Sequence, residues 1–107
     1  MGFINWKFKT RGEDRLTPLA QRIADRSRIE VSRRLVGLSP DMSQAEARGY
    51  IRTRAAVVVH REVNLVMQRE RSLRPSERPK LIELSTELLV DGFLTVGAET
   101  AQRRFAA

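Results

Sequence analysis

The chain has 107 residues, no cysteine and a formal net charge of +7, with 31% charged and 41% hydrophobic residues. This length fits one domain with a single modest core, and the missing cysteines exclude disulfides and thiolate metal sites. The longest apolar run, Ala55 to Val59, falls far short of the roughly 18 residues a membrane-spanning helix needs. No apolar stretch after the N-terminus resembles a secretory signal, so the expected location is cytoplasmic.

The positive excess lies in the first half of the chain. Residues 1–54 hold twelve Lys/Arg against six Asp/Glu, and arginine far outnumbers lysine throughout. Two explanations stand side by side. The planar guanidinium suits phosphate or carboxylate partners, and an arginine-biased coding composition gives the same excess without any partner.

Residues 1–15 read as an aromatic and basic N-terminal arm. Ile4, Trp6 and Phe8 alternate with Asn5, Lys7 and Lys9, which is the period of a strand and not of a helix. The remaining chain offers no second strand to pair with it. Three roles follow for Phe3, Ile4, Trp6 and Phe8: a strap over the protein's own core, a docking element for a partner or a second copy, or contact with a membrane surface.

Residues 16–107 read as a helical bundle domain. Thr17 with Pro18 predicts the start of a first helix, Thr as cap and Pro at the first helical position, with Gly37 as the stop after Val36. Leu16, Leu19, Ala20, Ile23, Ala24, Val31 and Leu35 form its apolar stripe. Away from that stripe, Arg22, Arg26 and Arg33 share a face with Ile29 and Val36. Such a row either grips phosphates or is a solvated face on which Glu30 pairs with Arg26 or Arg34.

Ser43 and Glu46 read as a capping box for a second helix that continues to about Ser72. Ala47, Ile51, Ala55, Val58, Leu65 and Val66 define one apolar face, and Ala56, Val63 and Met67 the other. Two apolar sides imply a central helix with neighbours in both directions. Glu62 falls inside the main stripe with no cation at i±3 or i±4, so its partner is expected from another helix or chain, unless it reaches solvent at an edge. After a Pro-containing linker, Pro79 opens a third helix in which Leu81, Leu84, Leu88 and Leu89 face the core, widened by Ile82 and Phe93. Val90 is expected on its acidic outer face. Gly92 and Gly97 suggest a break near Leu94 and a short final helix through Ala98, Ala101 and Phe105.

The predicted fold is therefore all-α: a three- or four-helix bundle with a long central second helix and an extended N-terminal arm. Nothing in the sequence carries catalysis. His60, the only histidine, has no local acid–base partner, since Glu62 points elsewhere on the helix. Glu83, Glu87 and Asp91 repeat every four residues but read as a solvated acidic face rather than a metal site. No phosphate-cradling loop or dinucleotide fingerprint is present, and no cofactor, metal or small-molecule substrate is implied. The expected function is that of a non-enzymatic basic helical binding protein, an adaptor or subunit of a larger assembly, which binds a protein partner or itself. The alternative is a sequence-independent nucleic-acid-binding protein that uses Arg22, Arg26 and Arg33.

Overall fold

The computed structural model describes the backbone of residues 11–106 and the side chains of residues 15–95. Three helices account for nearly all of it: α1 (Arg11–Arg33), α2 (Gln44–Arg69) and α3 (Arg78–Ala106), with a 3-10 turn at Pro75–Glu77 leading into α3. Each helix packs on both of the others. The pairings across the interfaces give the directions. Glu30 meets Arg61, and Asn64 meets Arg78, while Arg48 meets Asp91, so α2 runs antiparallel to both neighbours. Arg15 meets Glu77, and Arg28 lies beside Gly92, so α1 and α3 run parallel.

The arm residues Phe3, Ile4, Trp6 and Phe8 lie outside the described residues. The first helix begins at Arg11, earlier than the expected Thr17 cap, and Pro18 sits inside it. A proline there removes one backbone hydrogen bond. The apolar period nevertheless runs unbroken through it, with Leu16, Ala20, Ile23 and Ala24 all buried. Burial of Leu16 in the core offsets the lost bond.

The expected cap of the second helix is present in full. The Ser43 hydroxyl accepts from the Glu46 N–H at 3.1 Å, and the Ser43 N–H donates to the Glu46 carboxylate at 3.3 Å. Gly37 does not end α1 through a left-handed conformation, since no described glycine has positive φ. Its role is close approach: its N–H donates to the Tyr50 hydroxyl at 2.9 Å, and an added Cβ would lie 2.7 Å from that oxygen. Gly37→Ala should therefore break this bond, and the same change in a Tyr50→Phe background should cost less. The expected coupling, read by urea denaturation of the double-mutant cycle, is ~1 kcal/mol; strictly additive costs would show that the contact does not hold the turn.

The core joins Leu16, Ala20, Ile23, Ala24 and Val31 of α1 to Ala55, Val58, Val59 and Val63 of α2 and to Leu81 and Leu89 of α3, with Leu73 inserted from the connection. Two features of the expected packing are corrected. Leu65 is 37% exposed, and Val59 and Val63 are buried in its stead. Val90 is fully buried rather than on the acidic face, while Leu84 and Leu88 are only partly buried. The cause is the triangular arrangement. Every helix has two neighbours, so its buried sector is broad, and α3 turns its 82–86–90 edge inward together with its 81–85–89 edge. The second helix has neighbours on two sides, as both other helices do, and it has 26 residues against 29 for α3. No break occurs at Gly92 or Gly97; α3 runs through both.

Small residues line the contact surfaces. Ala20, Ala24, Ser27, Ala47, Ala55 and Ser85 are all buried, which lets the helix backbones approach closely. The two serines satisfy themselves locally: Ser27 donates to the Ile23 carbonyl and Ser85 to the Leu81 carbonyl, each at 2.7 Å. Among the described residues no helix is long and apolar enough to cross a membrane.

Candidate functional site

Among the described residues most cross-helix polar contacts are made by arginine, and two groups of arginines stand apart. The first group is engaged between helices. Arg61 of α2 donates through both terminal nitrogens to the Glu30 carboxylate of α1, one bond at 3.1 Å, and Arg34 reaches the same carboxylate at 3.3 Å. Arg48 spans Glu87 and Asp91 of α3 at 3.1 Å each, and Arg52 binds the second oxygen of Glu87. Arg15 binds Glu77. The Arg78 Nε donates to Asn64 Oδ1 at 2.9 Å.

Two expectations change as a result. Glu87 and Asp91 are not simply a solvated row; they hold α2 against α3, and only Glu83 keeps a local partner, Lys80 at 3.8 Å. The readable signal was the matching i, i+4 spacing of Arg48/Arg52 with Glu87/Asp91, which antiparallel helices bring face to face. Glu62 is partly buried, and its cation is the adjacent Arg61 at 3.5 Å rather than a residue from another helix or chain.

These contacts shift titration. The Arg61 hydrogen bonds, opposed by partial desolvation and aided by Arg34, hold the Glu30 carboxyl below its ordinary range. Glu77 is lowered likewise by the Arg15 guanidinium and by the Arg74 N–H, which donates to it at 2.8 Å. A carboxylate lowered on folding contributes stability above its unfolded pKa, and that contribution is lost as pH falls through the folded value. Arg61→Met should therefore raise the Glu30 titration midpoint, measured by carboxyl-carbon NMR, and weaken the acid dependence of stability below about pH 4.5. An unmoved Glu30 midpoint would mean that the pair does not persist in solution.

The second group of arginines is unengaged. Among the described residues Arg22, Arg26, Arg33 and Arg69 have no ion-pair or hydrogen-bond partner on their side chains, and all four are exposed. Three of them converge. Arg22 and Arg26 of α1 and Arg69, in the last turn of α2, rim a groove of about 280 Å³ whose lining includes Leu19, Ile23 and Val66. Asp25 and Glu70 complete the rim. Asp25 is occupied, accepting from Gln21 at 3.1 Å with Arg28 3.9 Å away; Glu70 has no side-chain partner among the described residues. The predicted row is thus brought together only in part. Arg33 lies outside the groove, at the end of α1, and Val36 lies beyond the helix. Arg69 was missed, because a residue of the second helix joins the row only through the antiparallel pairing.

His60 is exposed and lines a shallow depression between α2 and α3 with Arg52, Ala56, Ile82, Glu83, Thr86 and Glu87. Among the described residues no three His, Asp or Glu side chains are grouped so as to hold a metal ion. Ile29 and Val36 are 66% and 88% exposed, and Ile29 shares a helix face with the unpaired arginines of α1. No protein-family model, curated protein or solved structure matches the chain.

Proposed function

We propose that this protein is a non-enzymatic adaptor, or a small subunit of a larger assembly, that receives a protein partner on the α1 face. One observation carries the reading. The arginines facing the other helices are consumed by interhelical pairing, whereas Arg22, Arg26 and Arg69 are left unpaired around an apolar groove. Unpaired exposed guanidinium groups beside the partly exposed Leu19 and Val66 offer a partner both charge and apolar area. The N-terminal arm, with Phe3, Ile4, Trp6 and Phe8, is proposed as a second, extended docking element on the same grounds of sequence as above.

The test is recovery of the tagged chain from its native lysate with and without nuclease, beside the variant Arg22→Glu/Arg26→Glu/Arg69→Glu. The expected result is a protein partner that survives nuclease and is lost with the variant, whose circular dichroism and melting temperature stay unchanged. Association that disappears with nuclease would favour the second reading, sequence-independent nucleic-acid binding through Arg22, Arg26 and Arg33, for which the exposure of all three speaks. In that case affinity should fall steeply with salt, and each lost phosphate contact should reduce the log–log slope by about 0.7 to 0.9.

A further inference from the structure

We infer that the groove between α1 and the end of α2 accepts an acidic amphipathic helix of a partner protein, which seats an apolar side chain between Arg22, Arg26 and Arg69. The inference rests on the adaptor reading and names the occupant. Its first support is chemical. The groove combines apolar lining from Leu19, Ile23 and Val66 with an arginine rim, and its volume of about 280 Å³ is at the small end of the roughly 300–1,000 Å³ usual for small-molecule sites. That suits one or two anchoring side chains.

Backbone hydrogen bonding selects a helix. The α1 wall is a helix interior, whose main-chain groups are paired within the helix, so an extended peptide laid along it would find no backbone partners there. A helix brings its own hydrogen bonds with it. Arg22 and Arg26 are one turn apart, which matches carboxylates at i and i+4 on a helix lying alongside.

The mixed rim argues against a nucleic acid at this position. Glu70 has no side-chain partner among the described residues and would repel a phosphodiester backbone, whereas Asp25 is already occupied by Gln21 and Arg28. A protein helix can place its acidic residues along the α1 wall and leave Glu70 facing solvent. Two other occupants fail on charge. A second copy related by a two-fold axis would set this arginine face against itself, and residues 1–10 of the chain carry Lys7 and Lys9 but no Asp or Glu.

The experiment titrates the full-length isotope-labelled chain with three probes and follows backbone amides by NMR. The first is a peptide of about 18 residues with Leu at heptad a and d positions and Glu at e and g. The second is the same composition shuffled to destroy the apolar face, and the third is a 16-nucleotide single-stranded DNA (a length of about that order suffices for non-specific binding). The expected result is that the amphipathic peptide moves Leu19, Ile23, Val66 and Arg69, while the shuffled peptide binds at least about tenfold more weakly. Arg22→Glu/Arg26→Glu should lose about tenfold or more for the acidic peptide and regain affinity for a peptide with Lys in place of Glu. Three results would overturn the inference. These are equal binding of the shuffled peptide, shifts confined to other surfaces, and DNA that moves the same amides more tightly than the peptide does. A red shift of Trp6 emission as the peptide binds would identify the arm as the groove's own occupant, and would overturn it too. A nuclease-resistant partner that depends on the three arginines, yet is not displaced by the peptide, would leave the adaptor reading standing and remove only this occupant.

Discussion

Leu81→Ala should lower the unfolding free energy by ~2–5 kcal/mol, the range for deleting a buried leucine side chain and leaving a cavity. Leu81 is fully buried at the start of α3 and belongs to the cluster joining all three helices. The matched control is Leu65→Ala on α2, the same chemical change at a position that is 37% exposed. It removes less buried area and leaves no enclosed cavity, so it should cost less, ~1–2 kcal/mol. Urea denaturation of both variants, with unchanged m-values, measures the difference. For a domain of this size the Leu81 variant should also melt on the order of 10 °C or more below the wild type. Equal costs at the two sites would show either that a second chain covers Leu65 in solution or that α2 is rotated from the orientation described.

The second large effect is expected from adding atoms. Ala55 is fully buried within the α2 contribution to the core. Replacing it with Leu inserts three further carbons where a small residue sets the helix separation. Overpacking of this kind costs ~1–3 kcal/mol, since neighbouring side chains must leave their preferred rotamers or the helices must separate. Ala45→Leu, at the second position of the same helix and exposed, should change stability by no more than about 0.5 kcal/mol. Leucine and alanine have similar helix propensity, so packing alone separates the two variants. An Ala55→Leu protein as stable as the wild type would mean that the helices do not approach one another as closely as the run of buried Ala and Ser residues requires.

Local features of this protein were legible in its sequence. The capping box of Ser43 and Glu46 involves groups three residues apart and needs no tertiary context, and it is present as expected. The α1 stripe was equally plain, because its apolar residues stand apart from a charged opposite face: Leu16, Ala20, Ile23, Ala24 and Val31 are all in the core. The second helix runs through Val57 to Val59 as its predicted span requires, although only Val58 and Val59 are buried and Val57 is 62% exposed. Residues apolar all round give a helix no readable rotation, and the packing of the neighbours chooses which of them is covered.

Three further features arise only in the tertiary structure. The rotation of α3, which buries Val90 and leaves Leu88 partly covered, follows from a helix having two neighbours, so that its inward sector spans two adjacent rows of side chains. The partition of the arginines is likewise not decided along the chain: Arg48 and Arg52 have the same i, i+4 spacing as Arg22 and Arg26, and only the packing presents Glu87 and Asp91 to one pair and nothing comparable to the other. Arg69 lies more than forty residues from Arg26 and meets it across the groove only because α1 and α2 are antiparallel. Periodicity along one helix records which residues share a face, and so it delivered the helices, the cap and half of the candidate site. Which face meets which, and therefore which charges are left unpaired, depends on contacts between distant segments, and the antiparallel three-helix packing decided it.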